Sequence, residues 1–296
     1  MTKKMTANLK HPNKCLGVTS FKFCDRLLRP HLYVGALALF VSWSALGKEC
    51  SKVFLSPQLG TEISRWEEVS RSGKRLVTEN GRLHFNGLML SAHCTSADWA
   101  LAWSQSKGSR TYLGATNTGQ TATSFSDVGH QRISGSVHLK ASENLSLGGR
   151  VVHNSIHRNI QSTSEAAGYP EHFQFNDLSL GVRYKQSVNT NLIWQAEYWQ
   201  GRIFSGQSNV VFPNFAPSTL HLGAGHTREI GLSIGNKLGA NDQRWTWSAA
   251  IHIRQDRIEE GTPQALYKGS RIVASAVQPE INLRSSQLFA KLNYAF

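Results

Sequence analysis

The chain has 296 residues, of which 17% are charged and 9% are aromatic, and this composition excludes a disordered or low-complexity protein. The formal net charge is +13, but residues 1–47 hold seven of the Lys and Arg and one acidic residue, so the remainder carries +7. The long apolar run at residues 32–45 is shorter than the roughly 20 residues that a spanning helix needs, which excludes a helical membrane protein.

The first 47 residues have the layout of a secretory signal peptide. Basic residues precede the apolar run, and Ala45-Leu46-Gly47 follows it as a small-x-small cleavage site. We predict a signal peptide at 1–47, cleaved near Gly47, and one domain at 48–296. Because Cys50 does not directly follow the small residue, we expect no lipid anchor. A modest basic excess in an exported chain does not indicate a nucleic-acid partner.

From residue 50 onwards the dominant pattern is the alternation of apolar and polar residues, which is typical of strands with two different faces. The alternating segments, in chain order, are 53–66, 83–89, 99–103, 133–139, 145–151, 178–184, 192–198, 229–235, 245–254 and 288–296. The last segment has the weakest start, because Pro279 interrupts the residues before it. The pattern predicts about ten antiparallel strands.

The polar connections between these segments alternate in length. The short ones are 93–98, 141–144, 186–191 and 239–243, and the long ones are 67–80, 114–130, 159–172, 205–218 and 259–273. This pattern is typical of transmembrane barrels, which have tight periplasmic turns and longer outer loops.

The chain ends on an alternating segment whose apolar side carries Leu292, Tyr294 and the terminal Phe296. This end resembles the C-terminal aromatic β-signal of Gram-negative outer-membrane β-barrels, which their assembly machinery recognises. The resemblance implies an all-β fold, an antiparallel transmembrane β-barrel of about ten strands, in the outer membrane of the cell. It places the chain in no characterised family. The partners it implies are the barrel-assembly machinery, through the C-terminal strand, and outer-membrane lipid and lipopolysaccharide.

Two further observations agree with this assignment of strands and connections. With an even strand count both termini lie in the periplasm, and the aromatic residues of the apolar face gather near the short turns as an interfacial girdle. They are Trp99, Tyr184, Trp194, Trp245, Trp247, Tyr294 and Phe296. Cys50 and Cys94 fall on the same periplasmic side, and disulfides persist in that compartment, so we predict a Cys50–Cys94 disulfide.

The same alternation predicts which side chains face the lumen. The inward-facing charged and histidine residues include His138, Arg150, Arg183, Glu197, Glu229, His252, Arg254 and Lys291. In segment 83–89 it places Leu83 and Phe85 towards lipid and His84 inside. A barrel of about ten strands is narrow and largely filled by side chains. The lumen is therefore either a structural network of ion pairs or a narrow, porin-like channel for small solutes, with the basic excess favouring anions.

An alternative function rests on His153 and Ser155, which share the lipid-side face near the outer end of a strand. They resemble the His-x-Ser pair on the barrel wall of outer-membrane lipid hydrolases, namely lipid A deacylases and phospholipase A. The resemblance implies Ser155 as the nucleophile and His153 as its base, with Glu165 as the acid that orients the imidazole. Those families usually continue Ser-Asn, where this chain has Ile156.

Other chemistry has weaker support in the sequence. Omptin-type proteases have a similar strand count, but their Asp pair facing an Asp-x-His is not reproduced by Asp127 with His130 or by His252 with Asp256. We expect no cofactor and no metal, because no zinc, calcium or phosphate motif is present. His226, Arg228 and Arg158 near the outer strand ends are candidates for pairing lipid A phosphates. The sequence thus favours a non-enzymatic barrel.

Overall fold

The computed structural model describes residues 50–115, 120–164, 167–236 and 244–296. The signal peptide and the short turn at 239–243 lie outside these residues and stay predictions. Within the described ranges, no helix is long and apolar enough to cross a membrane. The strands found there are β1 (Cys50–Val69), β2 (Arg75–Cys94), β3 (Ala97–Ala115), β4 (Thr121–Lys140), β5 (Leu145–Ile160), β6 (Pro170–Ser187), β7 (Leu192–Val210), β8 (Ser218–His221), β9 (Gly225–Asn236), β10 (Trp245–Ile258), β11 (Gln264–Lys268), β12 (Arg271–Ala276) and β13 (Glu280–Ala295).

Ten of these strands form a closed antiparallel barrel. Strands β1 to β7 pair in sequence order, each with the one that follows it. The wall then continues from β7 to β9, from β9 to β10 and from β10 to β13. The last strand then pairs with the first, from Phe54 opposite Ala295 to Val69 opposite Glu280. Closure pairs the backbone groups of both seam strands, as a lipid environment requires. The predicted all-β barrel of about ten strands is confirmed.

Three short strands lie outside the barrel wall. Strand β8 adds four residues beside the outer end of β7, and β11 with β12 forms a separate hairpin within the long 259–279 connection. These segments enlarge the outer loops, whereas the periplasmic connections at 95–96, 141–144 and 188–191 are tight. The predicted alternation holds in the second half of the barrel, where the outer connections 211–224 and 259–279 are long, whereas the first outer connection, 70–74, is a short turn.

The barrel strands extend further outwards than the alternation indicates. The predicted loop at 67–80 is mostly strand, since β1 runs to Val69 and β2 begins at Arg75, with Gly73 in the turn at φ 81°. Much of the predicted loops at 114–130 and 205–218 is also strand. In these outer halves polar residues lie on both faces, so the hydrophobic period fades while the backbone pairing continues.

An apolar band surrounds the barrel on its outside. Leu59, Ile133, Leu147, Leu180, Ile230 and Leu288 are between 52% and 74% exposed. A continuous band of this kind is far larger than the apolar patches of soluble monomers, and lipid chains are the surroundings that suit it. Aromatic rings lie at its periplasmic edge, where Trp245 and Tyr294 are 4.6 Å apart and Tyr184 and Trp194 are 5.4 Å apart.

The outer half of the barrel interior contains an apolar core, which we call the outer plug. It consists of Trp66, Leu83, Val128, Ile156, Phe173, Phe175, Ile203, Ile258, Ile281 and Leu283, all buried. The rings of Trp66 and Phe173, from β1 and β6, meet across the lumen at 4.9 Å. The prediction for strand β2 was therefore wrong: Leu83 and Phe85 point inwards, and His84 is exposed on the outer wall.

Candidate anion-binding chamber

The periplasmic half of the barrel encloses a cavity of about 590 Å³, which we call the inner chamber. All ten barrel strands contribute side chains to it, and it extends to Lys52 and Asp98 near the periplasmic strand ends. The eight side chains predicted to line the lumen all line this chamber: His138, Arg150, Arg183, Glu197, Glu229, His252, Arg254 and Lys291. Because alternate residues of a strand share a face, these eight side chains lie together on one concave surface.

Ion pairs organise one side of the chamber wall. Arg183 donates from Nε to Glu197 at 2.9 Å, and its Nη1 lies 3.3 Å from Asp98. Lys185 reaches the same Asp98 carboxylate at 3.0 Å. These contacts join β3, β6 and β7 across the lumen, so they fix the positions of the charges they use.

A second group of ion pairs lies higher on the wall. Arg150 donates to Glu229 at 2.9 Å, and the Nδ1 atom of His252 lies 3.0 Å from the other oxygen of that carboxylate. The Arg150 guanidinium also lies over the Trp199 ring, 4.6 Å from its centroid. Its Nε atom is buried and makes no hydrogen bond among the described residues. Glu229 is therefore neutralised by its neighbours.

Cations exceed carboxylates on the chamber wall. Among the described residues, no carboxylate lies within 4.0 Å of Lys52, Arg132 or Lys291, although all three line the chamber. Arg132 makes long hydrogen bonds, at 3.3 Å to Asn154 and 3.5 Å to Ser285. Lys291 lies on the same face of β13 as Phe289 and Gln287 and is partly buried. A half-enclosed surface with unmatched positive charge attracts small anions.

Buried charge separates the inner chamber from the outer plug. Arg254 is 3% exposed and donates to Asp177 at 2.6 Å and to both Asp256 oxygens at 3.0 Å. Higher still, Arg158 is 1% exposed and bonds Glu68 at 2.5 Å and Glu171 at 2.6 Å. Arg158 was predicted to lie at the outer rim near lipid A, and that prediction was wrong because its side chain points into the barrel.

The predicted catalytic residues lie on the outer wall, but the structure pairs them differently. The Ser155 hydroxyl oxygen lies 2.9 Å from Nε2 of His172 on β6, and the His172 ring stacks on His157 at 3.8 Å. His153 instead has Nδ1 at 2.8 Å from the side-chain oxygen of Asn176. Glu165 lies outside the described residues. Finding His172 required the register of β5 against β6, which no sequence pattern supplies.

The two protease-like pairs are not assembled. Asp127 is exposed on the outer wall, whereas His130 on the same strand is buried inside. Both His252 and Asp256 face inwards, but His252 pairs with Glu229 and Asp256 with Arg254. No group of three or more His, Cys, Asp or Glu that could hold a metal ion occurs in the described part of the chain.

The remaining predicted residues lie at the periplasmic end. Cys50 and Cys94 form a disulfide with an S–S distance of 2.00 Å, joining the start of β1 to the end of β2. Leu292 and Phe296 are exposed on the outer side of β13, and Tyr294 packs edge-on against Phe296 at 5.1 Å. Recognition of these residues by the assembly machinery stays a prediction.

Comparisons with known proteins define the class through the fold. No family model and no curated protein matches the sequence. Among solved structures, the chain is similar to the outer membrane protease OmpT from Escherichia coli, with 12% identity, a TM-score of 0.52, and coverage of 83% of this chain and 97% of that one. The translocator domain of the autotransporter NalP from Neisseria meningitidis matches with 12% identity, a TM-score of 0.42, and coverage of 90% and 96%.

The closed barrel, the apolar outer band and the likeness to OmpT together define the class. The chain is a Gram-negative outer-membrane β-barrel, and its location is the outer membrane. At 12% identity the comparison shows the fold alone, so the function is argued from the side chains of this chain.

Proposed function

We propose that this protein is a non-enzymatic outer-membrane barrel whose inner chamber binds small anionic solutes from the periplasmic side. The observation that carries the proposal is the set of cations Lys52, Arg132 and Lys291, which line the chamber without a carboxylate within 4.0 Å among the described residues. All three side chains are partly buried. Removing such charges from water is costly unless a counter-charge is supplied, and a bound anion supplies it.

The size and shape of the inner chamber support a small organic or inorganic anion. A volume of about 590 Å³ lies within the range of small-molecule sites. Phe289, Trp199 and His138 add apolar and aromatic surface to the wall, so a ligand with a carbon skeleton also finds contact area. The ligand class is therefore a compact phosphate or carboxylate compound.

The filled outer plug supports binding over free passage. The porin-like interpretation needs a continuous wet path, and Trp66, Phe173 and Ile156 are at most 1% exposed inside the outer half. A solute that enters from the periplasm stops below this core unless the core rearranges. The barrel is therefore closed towards the outside at rest.

Replacing Lys291 tests the proposal. We expect Lys291→Gln to weaken the binding of pyrophosphate by about tenfold, because one charge-assisted hydrogen bond is lost while the side-chain length is nearly kept. Isothermal titration of the protein in detergent micelles measures the affinity, with glucose as an uncharged comparison.

The matched control is Lys107→Gln, which removes a lysine that is exposed on the outer wall of β3. It should leave pyrophosphate binding unchanged. Failure of the unaltered protein to bind pyrophosphate more tightly than glucose contradicts the proposal, as does equal weakening by both substitutions.

A second candidate function, lipid hydrolysis, is favoured by one observation. The Ser155 hydroxyl and the His172 imidazole are 2.9 Å apart on the outer wall, which is the geometry of a nucleophile with its base. The pair lies just beyond the apolar band, since Val151 on the same face of β5 is 53% exposed. An acyl chain in the bilayer could therefore reach it. The base in this arrangement is His172 rather than His153.

Three substitutions separate the two histidines. If the wall hydrolyses lipid, Ser155→Ala and His172→Gln should each reduce fatty-acid release from lipid A or phospholipid by at least about a hundredfold, because both nucleophile and base are needed. His153→Gln should retain most of the activity. Mass spectrometry of the lipids is the measurement, and release of no fatty acid by the unaltered protein contradicts this candidate.

A further inference from the structure

Six adjacent strands of the barrel each place one arginine on the outer wall. We call this surface the arginine face, and it consists of Arg202, Arg228, Arg257, Arg284, Arg65 and Arg82, from β7, β9, β10, β13, β1 and β2 in that order around the barrel. The four remaining strands, β3 to β6, are described along their whole length and place no exposed arginine on the wall. The exposed arginines of the wall therefore lie on one side of the barrel.

The register brings these arginines to neighbouring heights. Arg284 lies directly opposite Arg65 across the β13–β1 seam. On the next strands, Gln255 lies opposite both Arg228 and Arg284, and His226 lies opposite Arg202 and Arg257. Six strands about 4.8 Å apart give a face about 24 Å wide. Like charges directly opposite each other weaken a sheet, so the barrel alone gains nothing from this arrangement.

The arginine face is only partly paired within the described residues, where Arg82 donates from Nε to the Thr61 hydroxyl oxygen at 2.9 Å. Arg65 pairs with Glu67 at 2.5 Å and Arg257 with Glu280 at 2.9 Å. Among the described residues, no carboxylate lies within 4.0 Å of the other four, Arg82, Arg202, Arg228 and Arg284. All four are exposed, so their guanidinium groups are available to an external anion.

The arginine face lies immediately above the apolar band. Along β9, Arg228 is followed on the same face by Ile230, which is 52% exposed. Along β1, Arg65 is preceded on that face by Ile63, which is 65% exposed. The change from apolar to basic thus occurs within one pair of residues. That height corresponds to the headgroups of the outer leaflet, because the long loops lie on the outer side.

We propose that the arginine face binds the phosphate groups of a lipid A-type glycolipid in the outer leaflet. Arginine forks match phosphate oxygens in pairs, and the apolar band beneath them receives the acyl chains of the same molecule. Because the arginine face and the apolar band together suit both a phosphate and an acyl chain, they favour a lipid over a soluble phosphate. The site is separate from the inner chamber, so it does not depend on the proposed function.

The test measures binding of bisphosphorylated lipid A to the purified barrel in detergent micelles by native mass spectrometry. The double variant Arg228→Gln with Arg284→Gln should weaken binding by about tenfold or more, because two charge-assisted contacts are lost. Both residues are exposed and have no carboxylate partner, so the barrel should fold, which gel mobility of the unheated protein verifies. Lipid A stripped of its phosphates should bind the unaltered protein as weakly as the intact lipid binds the variant.

The control is Lys107→Gln with Arg244→Gln, which removes two exposed cations outside the arginine face, one on β3 and one beside the periplasmic end of β10. It should bind bisphosphorylated lipid A within twofold of the unaltered protein, a margin that is small on the scale of one hydrogen bond. Equal binding of the phosphate-free lipid, unchanged affinity of the double variant, or equal loss in the control each overturns the proposal.

Discussion

Replacing Arg158 with methionine is expected to lower the free energy of unfolding by about 3–5 kcal/mol, because it leaves buried carboxylates without a counter-charge. Arg158 bonds Glu68 and Glu171, and its Nη1 lies 3.4 Å from Glu79. All three acids are at most 7% exposed. Methionine keeps much of the volume between the Trp66 and Phe173 rings, so the loss is mainly electrostatic.

The matched comparison is Arg257→Met, since Arg257 forms a 2.9 Å pair with Glu280 that is largely exposed to solvent. That substitution should cost less than about 1 kcal/mol. Adding Glu68→Gln and Glu171→Gln to Arg158→Met should restore part of the stability, because two of the three buried carboxylates then lose their charge and Glu79 still has Arg110 at 3.6 Å. Urea unfolding followed by tryptophan fluorescence gives the values, and equal effects of Arg158→Met and Arg257→Met would contradict the argument.

Parity explains why the inner chamber could be anticipated from sequence. In the periplasmic half, apolar residues face the lipid and charged residues face the lumen, so the two kinds alternate along each strand. The eight predicted lumen residues follow this alternation. Arg132 was missed although the same rule applies, since Ile133 beside it faces lipid. Asp98 was missed because it begins its strand, inside a segment predicted as a turn.

The outer half obeys a different physical rule, which is why the sequence pattern failed there. Its wall faces water and headgroups, while its interior packs the outer plug around buried ion pairs such as Arg158 with Glu171, so polar residues lie on both faces. Leu83 of strand β2 lies inside as part of the outer plug, whereas Phe85 faces the inner chamber and packs against Phe289 at 5.2 Å. Arg158, surrounded by acids of β1, β2 and β6, could be placed only once the strands were paired.

Contacts between strands also could not be predicted from the sequence. The Ser155–His172 pair lies diagonally across β5 and β6, and the six arginines of the arginine face come from strands as far apart in the chain as β2 and β13. From the sequence alone, each of these residues could be assigned only singly, as a polar residue on the outer face of its strand. Their proximity depends on register and closure, which short-range patterns do not determine.

The unaltered protein is expected to pass no steady current in planar bilayers, because the outer plug fills the lumen. Trp66 contributes most to this closure, since its ring lies 4.9 Å from Phe173 and its Nε1 donates to Glu68 at 2.9 Å. Replacing both rings, by Trp66→Ala with Phe173→Ala, removes the contact that spans the lumen. The space left is bordered by Arg158 and Glu68, whose charges favour the entry of water. We expect this variant to conduct, at a cost of about 3–5 kcal/mol for each lost ring.

The matched control is Trp245→Ala with Trp247→Ala, which removes two aromatic rings that are 55% and 49% exposed on the outer side of β10. Because these rings do not fill the outer half, the control should stay closed. If the double plug variant does not fold, the current of the unaltered protein still decides the question. A steady current through it would mean that the outer plug is not the resting state of the lumen, and the barrel would then serve as a path across the membrane rather than as a chamber closed at its outer end.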